Sequence, residues 1–408
     1  MRENISLEEA EQLLLDHCKV YNTKSVLLSD ALGRVLAEDV VAGENIPPFD
    51  RTPLDGYAMA AKDTEGASVE HPISLRVIEE VPAGYTATQG ITTGTTIKVM
   101  TGAPIPEGAD AIIKFEAVER QGDKISLQRG MHSGENIIWG GEDVRIGQIV
   151  AQRGMIITPP IMGLCAALGI NKLTVYEQPQ IALVSTGDEL VDVTEPLQPG
   201  QIRNSNSYSL QGYCKQEGAI PVVIGTVKDE VDAIVAMIER GLEQANMVIT
   251  TGGASVGDYD VIADALQALG AEMIFRRINV KPGMPTMAAV KDGKVILGLS
   301  GNPAASLIVY QLLGIPFIRK LAGRKEYQLP KLEAIVRDQF RKASPQRRFL
   351  RGKLILEHGQ IAVDLTGSQG NGILSSMVGC NVLVEVPAGS PALMGGERLV
   401  AYLVEQIG

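Results

Sequence analysis

One glycine-rich loop, residues 250–260 with the sequence TTGGASVGDYD, combines groups that two different chemistries use. Its segment GASVG, residues 253–257, fits the G-x-S-x-G pattern of serine hydrolases, in which the serine is the nucleophile. The loop also ends in two carboxylates, Asp258 and Asp260, which a hydrolase nucleophile does not need. Glycines followed by carboxylates suit a different site, where backbone N–H groups hold an anion and acidic side chains hold its metal ion.

The hydrolase hypothesis is the weaker of the two. It places Ser255 in a long loop, whereas a nucleophile elbow is a sharp turn that leads directly into a helix. The catalytic base would have to follow in the chain, and the only later histidine is His358, in a β-rich tail. In the anion-cradle hypothesis Gly252, Gly253 and Gly257 adopt positive φ, and their N–H groups approach the ligand with Ser255 beside them.

A second loop, GLSGNPAAS at residues 298–306, repeats this device after another apolar run. After Gly301, Asn302 is expected to cap a helix and Pro303 to occupy its first position, which leaves the next two N–H groups free. Two such loops at neighbouring strand ends predict a phosphate-bearing ligand. The alternative is that both are only tight strand-to-helix turns. Neither loop is a Walker A motif or a G-x-G-x-x-G fingerprint, which argues against ordinary ATPase and dinucleotide folds.

Acidic side chains follow several of the predicted strands. Taken singly, each suits an exposed loop or a helix cap. Together, at one end of a sheet, they are oxygen ligands of the kind that Mg²⁺ shares with phosphate groups and water. The five acids are Asp188, Glu189, Asp229, Asp258 and Asp260.

A basic cluster, Arg276, Arg277 and Lys281, precedes Pro282 at another strand end. These cations suit an oxyanion, and a solvated edge is the alternative.

The elements that would position these groups alternate between strand and helix from about residue 177 to 325. Four apolar runs read as buried parallel strands, and helical periodicity fills the segments between them. This pattern predicts a three-layer α/β domain with a mostly parallel sheet, in which ligands bind where loops leave the carboxyl ends of the strands. The four runs are QIALVSTG, AIPVVIGTV, NMVITTGG and VILGLSG.

The rest of the chain predicts further domains, so the expected fold is α/β multidomain. Helices are expected over residues 6–17, where Ser6 and Glu9 form a capping box, and over 29–36. Short β-like runs indicate a β-rich inserted domain, and the tail indicates a barrel-like β domain. The expected ranges are 1–48 and 136–176 for a linker and dimerisation domain, 49–135 for the insert, 177–327 for the α/β domain and 328–408 for the C-terminal domain.

Composition limits the classes of function. The 408 residues carry a formal net charge of −11, which argues against nucleic-acid or anionic-membrane surfaces. The cysteines and histidines are dispersed and lack the spacing of a zinc-binding motif. The cysteines are therefore expected to be free thiols in a reducing cytosol. The acidic N-terminus is unlike a signal peptide, and no apolar run is long enough to span a bilayer, so we expect a soluble, cytoplasmic protein.

Eight motifs in order along the chain resemble the MoeA family of molybdopterin molybdenumtransferases, which also occurs as the E domain of gephyrin. The motifs are PLDGYAM (53–59), MTGAPIPEGAD (100–110), GGEDV (140–144), STGDEL (185–190), TTGGASVGDYD (250–260), KPGMP (281–285), LSGNPAAS (299–306) and TGSQGNGILSS (366–376).

The resemblance implies an elongated four-domain protein that forms a homodimer with its active site at the subunit interface. It implies a Mg²⁺-dependent reaction in which molybdate and adenylylated molybdopterin give the molybdenum cofactor and AMP. A molybdopterin adenylyltransferase is the implied donor partner.

Matching the motifs residue by residue carries the family's functional positions onto this chain. Catalytic roles are implied for Asp55, Thr101, Asp143, Asp229 and Asp260, and metal binding for Glu189, Asp229 and Asp260. Asp55 is expected to reach the cleft of the partner subunit. The cleft is expected to be lined by Arg277, Lys281 and Arg351, with Ser375 and Ser376 in the tail.

Three departures from the family pattern bear on this reading. RTPLDGYA replaces the common NSAMDGYA, so Arg51 and Pro53 alter the surroundings of Asp55. Met284 stands for the second lysine of KPGKP, and Ser300 for the first proline of LPGNP. The missing cation leaves molybdate and tungstate open as substrates. A non-catalytic scaffold on the same fold is the other alternative, although a scaffold has no use for the full acidic set.

Overall fold

The computed structural model of the protein describes residues 2–20, 22–253, 261–357 and 359–405. A seven-stranded sheet forms its centre. The strands, in spatial order, are Arg2–Ile5, Glu272–Ile278, Met287–Lys291, Lys294–Leu299, Met247–Thr251, Gln180–Thr186 and Ile220–Val227. The last four run parallel to one another, whereas Met287–Lys291 is antiparallel to both of its neighbours. The predicted mostly parallel sheet is therefore confirmed.

Alternation along the buried strands explains the three layers. Ile181 and Leu183 pack into one apolar cluster, whereas Ala182 and Val184 pack into another on the opposite face. Successive side chains of a strand point to opposite faces, so a strand that is apolar at every position requires helices on both sides. The helices of this domain are Leu7–Asp16, Ser205–Gln216, Val231–Gln244, Val261–Ala268, Pro303–Val309 and Ile315–Leu321.

A π-helical turn, Tyr310–Gly314, joins the last two of these helices into one apolar segment. Within the described part of the chain, this segment, Pro303–Leu321, is the one helix whose length and composition would allow it to cross a membrane. Its apolar window is 89% buried inside the protein, which is what the core helix of a three-layer domain shows.

The first residues belong to the α/β domain and not to the linker, so the sequence-based boundary at residues 1–48 needs correction. Arg2–Ile5 pairs in parallel with Glu272–Ile278, and Leu7, Ala10 and Leu14 pack into the core beneath the sheet. A four-residue edge strand carries too little pattern to be recognised, and an amphipathic helix does not reveal which core it covers.

The inserted domain is built on a six-stranded sheet. In spatial order its strands are Ala111–Lys114, Gly56–Met59, Thr95–Val99, Ile73–Val81, Lys124–Leu127 and Val118–Gln121. Separate apolar clusters, one around Tyr57 and Met59 and one around Ala58 and Ile97, give this unit a core of its own.

The linker segments pair across long distances in the sequence. Lys172–Tyr176 pairs with Thr23–Leu27, and Ile149–Ala151 with Val40–Val41, both antiparallel. The helix Pro159–Ala167 begins with proline as predicted. The helix expected over residues 29–36 is wrong, because only a 3₁₀ turn, Leu28–Asp30, forms there, and the last residues of the segment bridge to Ile156 and Val175.

The C-terminal strands close into a five-stranded barrel, which confirms the barrel-like domain. Around the ring the strands are Arg347–Glu357, Gln360–Leu365, Lys331–Val336, Glu397–Leu403 and Val382–Val386, and the last pairs again with the first. The short strand Val280–Lys281 of the α/β domain adds to Arg347–Glu357. A barrel strand is thereby hydrogen-bonded directly to the segment that carries Lys281.

The Ser6 cap gives a first testable prediction. The Ser6 hydroxyl accepts the Glu9 N–H at 3.1 Å at the start of the helix Leu7–Asp16. We expect Ser6→Ala to lower the free energy of unfolding by about 1 kcal/mol, measured by urea denaturation. Ser29→Ala, at an exposed serine outside any helix cap of this kind, is the control and should change it by less than about 0.5 kcal/mol. Equal losses in the two variants would contradict the capping role.

Candidate functional site

The two glycine loops lie against each other at the carboxyl ends of neighbouring strands. Thr251 pairs with Ser185 on one side and with Leu299 on the other, so three strands end at the same level. A Cβ placed on Gly301 would lie 3.4 Å from the Cα of Gly252, which puts the loops in van der Waals contact. The predicted convergence of the loops on one rim of the sheet is present; we call this region the strand-end rim.

Steric crowding explains the glycines of the first loop. Gly252 has φ +98°, and a Cβ there would lie 1.9 Å from the backbone oxygen of Thr186. Gly253 has φ +60°, and its Cβ would lie 2.9 Å from the Thr186 hydroxyl. The positive φ angles are confirmed, but the close neighbour in this structure is the adjacent strand end, whereas a ligand was expected.

A small cavity of about 40 Å³ opens at the strand-end rim. Thr251, Gly252 and Gly301 of the two glycine loops line it, together with Thr186 and Glu189 from the end of the strand Gln180–Thr186 and the loop that follows. The start of the helix Ser205–Gln216 closes it.

Two of the predicted acids lie at this end of the sheet. Glu189 lines the cavity, and Asp229 follows the neighbouring strand Ile220–Val227, whose last residue accepts the Gly187 N–H at 3.1 Å. Asp229 Oδ1 is buried and has no hydrogen-bond partner among the described residues. Asp188 is exposed.

The part of the first loop that distinguishes the two chemistries lies outside the described residues. Ser255, Gly257, Asp258 and Asp260 all fall in this range, as does His358. Their predicted roles, in the cradle or in a hydrolase, stay predictions. No three Asp, Glu, His or Cys side chains within residues 2–20, 22–253, 261–357 and 359–405 form a group that could hold a metal ion.

The second loop differs from the expectation in its helix cap. Pro303 occupies the first helical turn as predicted, but the Asn302 side chain makes no capping hydrogen bond. The Ala305 N–H, which the pattern left free, donates to the backbone oxygen of Asn371 at 3.1 Å. The loop of the C-terminal domain that contains Asn371 therefore accepts a hydrogen bond from a helix N–H group that was expected to face the ligand.

A larger pocket of about 510 Å³ lies where the α/β domain meets the barrel, and we call it the basic pocket. Lys281 lines it, together with Lys342 and Arg348 of the C-terminal domain. Arg348 is 8% exposed; its Nε donates to Ser344 Oγ at 3.0 Å and its guanidinium stacks over Phe340. Burial lowers the pKa of Arg348. Among the described residues that line the pocket there are three cationic side chains and one acid, Asp338, so the lining carries an excess of positive charge.

Sequence reasoning missed Lys342 and Arg348. A signal for them exists, because five cations fall within the eleven residues RKASPQRRFLR at 341–351 of an otherwise acidic chain.

Arg351, expected to line the cleft, is 0% exposed, so that expectation is wrong in its geometry. Its Nη2 donates to the backbone oxygens of Ser368 and Gly370 at 3.0 and 3.2 Å. Burial lowers its pKa. Arg351 therefore fixes the position of the loop that contains Ser368 and Gly370, and this loop lines the basic pocket.

The other predicted residues of this side, Arg277, Ser375 and Ser376, are not among the described residues that line the basic pocket. Arg277 has φ +67°, and its N–H donates to the Thr286 oxygen at 2.8 Å. Ser375 is exposed on the 3₁₀ turn Leu374–Met377, whereas Ser376 is buried and donates to the Ile373 oxygen.

Asp55 and Thr101 meet in the inserted domain. Both the N–H and the hydroxyl of Thr101 donate to Asp55 Oδ1 at 2.7 Å. Asp143 is exposed, and its N–H donates to the Ile46 oxygen. These hydrogen bonds stay within residues 46–143. The expected approach of Asp55 to the cleft of a partner subunit stays a prediction.

Three family models match consecutive parts of the chain. They are the MoeA N-terminal region (domain I and II) over residues 5–169, a probable molybdopterin binding domain over 182–320, and the MoeA C-terminal region (domain IV) over 333–404. A molybdopterin molybdenumtransferase of Staphylococcus aureus (strain Mu50) is 33% identical over 404 residues, 99% of this chain and 96% of the relative. The chain belongs to the MoeA family of molybdopterin molybdenumtransferases.

Two further MoeA-family comparisons agree. A Staphylococcus epidermidis molybdopterin molybdenumtransferase (strain ATCC 12228) is 33% identical over 405 residues, 99% of this chain and 96% of the relative. The crystal structure of a molybdopterin biosynthesis MoeA protein from Pyrococcus horikoshii OT3 is 34% identical and superposes with a TM-score of 0.85, covering 98% of this chain and 100% of the other. The family resemblance read from the motifs is confirmed.

Two departures from the MoeA pattern have local structural correlates. The hydroxyl of Ser300 accepts the Asn302 N–H at 3.2 Å, a bond that a proline at position 300 lacks the acceptor to form. Met284 is half-buried, and its backbone oxygen accepts the Ile278 N–H at 3.1 Å.

The Asp55–Thr101 pair gives a pH prediction. The Thr101 N–H and then its hydroxyl lower the pKa of Asp55, because both donate to the ionised carboxylate. Thr101→Val keeps the N–H but removes the hydroxyl, so the pKa should rise and the carboxylate should take up its proton at higher pH. A ¹³C NMR titration of the Asp55 carboxyl measures this. Thr88→Val, whose hydroxyl bonds Glu79 instead, is the control. An unchanged Asp55 titration in Thr101→Val would contradict the assignment.

Proposed function

We propose that the protein inserts molybdate into adenylylated molybdopterin in a Mg²⁺-dependent reaction that releases AMP and gives Mo-molybdopterin. The observation that carries the proposal is the strand-end rim, where two glycine loops and the acids Glu189 and Asp229 lie at one edge of a mostly parallel sheet. Such edges bind ligands in open α/β folds.

The phosphate-bearing part of the substrate is assigned to the strand-end rim. In the proposal Gly253 and Gly301, on facing loops, let backbone N–H groups approach an anion, and a helix begins at Pro303. Ser255 and Gly257 complete this cradle in the proposal.

The acids of the rim suit a magnesium ion. Asp229 Oδ1 is a buried carboxylate oxygen without a hydrogen-bond partner among the described residues, and Glu189 lines the adjoining cavity. Oxygen donors of this type match Mg²⁺, and Asp260 is the third proposed ligand. When bound, the ion supplies charge neutralisation at the phosphoanhydride.

Molybdate is assigned to the basic pocket. Lys281, Lys342 and Arg348 give its lining a positive excess over Asp338, in a chain whose formal net charge is −11. A doubly charged oxyanion is attracted to such a local cluster. Arg351 acts there by holding the lining loop, and Ser375 and Arg277 are further candidates at its edge.

The catalytic site is proposed to be shared between two subunits of a homodimer. Thr101 orients the Asp55 carboxylate through two hydrogen bonds. Following the family resemblance, Asp55, Thr101 and Asp143 act in the proposal on the strand-end rim of the partner subunit. The protein is further proposed to be cytoplasmic and to receive its substrate from a molybdopterin adenylyltransferase.

Subunit complementation tests the shared site. An Asp55→Asn variant and an Asp229→Asn variant, each expected to be inactive alone, should regain activity when co-expressed, because the mixed dimer contains one intact site. Asp63→Asn is the control, since this carboxylate also accepts a backbone N–H in the inserted domain. Activity that does not return, although mixed dimers form, would contradict a shared site.

The activity itself is tested by incubating the protein with adenylylated molybdopterin, Mg²⁺ and either molybdate or tungstate, and measuring AMP. We expect AMP release that depends on Mg²⁺ and on the oxyanion. Binding of the pterin without AMP release would favour the scaffold alternative. A higher rate with tungstate would assign that oxyanion as the substrate.

A further inference from the structure

The Asn206 side chain uses its NH₂ group but not its carbonyl oxygen in hydrogen bonds within the described protein. It lies in the first turn of the helix Ser205–Gln216, is 8% exposed, and lines the strand-end cavity. Its Nδ2 donates to the backbone oxygen of Gly301 at 3.0 Å. Its Oδ1 is buried and has no hydrogen-bond partner in the described part of the chain.

The orientation of this amide follows from chemistry. The Gly301 oxygen can only accept, so the amide group that faces it must be the NH₂ donor. The remaining group, Oδ1, is an acceptor only. A buried acceptor without a hydrogen bond destabilises the folded protein, so a ligand that brings a donor to Oδ1 gains affinity there.

A second unsatisfied group lines the same cavity. Thr186 is 1% exposed, and its hydroxyl oxygen likewise lacks a partner among the described residues. The cavity of about 40 Å³ is far smaller than the roughly 300–1,000 Å³ pockets that enclose a whole small-molecule ligand, so it suits a polar group at the edge of a ligand.

We propose that Asn206 is a further ligand-binding residue, whose Oδ1 accepts a hydrogen bond from an N–H group on the pterin part of the substrate. The Asn206 Oδ1 atom can only accept a hydrogen bond, so the group that meets it must be a donor and not a phosphate or molybdate oxygen. A pterin carries an amino group and a ring N–H, which are donors of the right size. The inference rests on the proposed function and names the residue that recognises the neutral end of its substrate.

Anaerobic titration of the full-length protein with molybdopterin, followed by pterin fluorescence, tests the proposal. Asn206→Leu removes both amide groups, and we expect its Kd to rise roughly tenfold. Asn206→Asp keeps an acceptor oxygen but loses the donor to Gly301, so its Kd should stay within about threefold of the wild-type value if the acceptor is what matters.

Gln311→Leu is the matched control. Gln311 is also a buried amide with one hydrogen bond, from Nε2 to the Tyr213 hydroxyl at 3.1 Å, and with an Oε1 that has no partner among the described residues. Gln311 does not line the strand-end cavity, so the Kd of the Gln311→Leu variant for molybdopterin should stay within about twofold of the wild-type value.

Two results would overturn the inference while leaving the proposed function standing. In the first, Asn206→Leu binds molybdopterin as tightly as the wild type, which would mean that a water molecule alone fills the cavity. In the second, Asn206→Asp binds as weakly as Asn206→Leu, so that Asn206 acts only by holding the Gly301 loop. Absence of binding by the wild-type protein would overturn both the inference and the proposed function.

Discussion

Replacing Asp229 by asparagine is expected to lower AMP release at least about 100-fold. The substitution keeps the shape of the side chain but removes its negative charge, and Asp229 Oδ1 is a buried carboxylate oxygen that lacks a protein partner in the described structure. In the proposed mechanism, loss of this charge weakens the binding of Mg²⁺ next to the phosphoanhydride. Because no described hydrogen bond to Oδ1 is broken, the free energy of unfolding should change by less than about 1 kcal/mol.

Asp232→Asn is the matched control for this effect. Asp232 lies three residues further on, exposed in the first turn of the helix Val231–Gln244. The turnover of the Asp232→Asn variant should stay within about threefold of the wild-type value, as expected of a surface substitution. Wild-type turnover in Asp229→Asn would remove Asp229 from the metal site.

Replacing Glu217 by alanine is expected to destabilise the protein by about 3–5 kcal/mol. Glu217 is 6% exposed and bonds two guanidinium groups, Arg319 at 2.7 and 2.9 Å and Arg324 at 3.0 Å. Burial lowers the pKa of Arg324, and the Glu217 charge opposes that shift. The alanine variant would leave two largely buried cations without their carboxylate.

The control for Glu217 is Glu80→Ala. Glu80 also pairs with two cations, Lys98 at 3.0 Å and Arg120 at 2.9 Å, but its side chain is 49% exposed. Water screens such a pair, so the loss should be far smaller. Thermal and urea denaturation of both variants measure the difference. Similar losses would show that burial is not what makes the Glu217 cluster strong.

The α/β domain was predictable because its central strands contain unbroken apolar runs, such as Ile181 to Val184. A strand covered by helices on both faces has no polar face, and the runs that end at Thr186, Thr251 and Leu299 show this directly. Parallel strands place their carboxyl ends together, so the convergence of the loops that follow them also follows from the sequence. The positions of Glu189 and Asp229 are consequences of the same rule.

The features that the sequence did not predict depend on contacts between distant segments. From the sequence the Ala305 N–H is expected to be free, but in the structure it donates to the Asn371 oxygen. Arg351 is expected to be accessible, but it is buried in the C-terminal domain. The segment 29–36 has helical composition, but Leu36 instead bridges to Val175 in the linker. In each case a tertiary contact outweighs a local preference.

The proposed function requires the strand-end rim to bind the molybdopterin part of the substrate. A crystal structure of the protein with bound molybdopterin would show where this ligand lies. We expect phosphate density against backbone N–H groups of the Gly252 and Gly301 loops, with the pterin edge at Asn206. A bound molybdopterin at another surface, with the rim left empty, would contradict it.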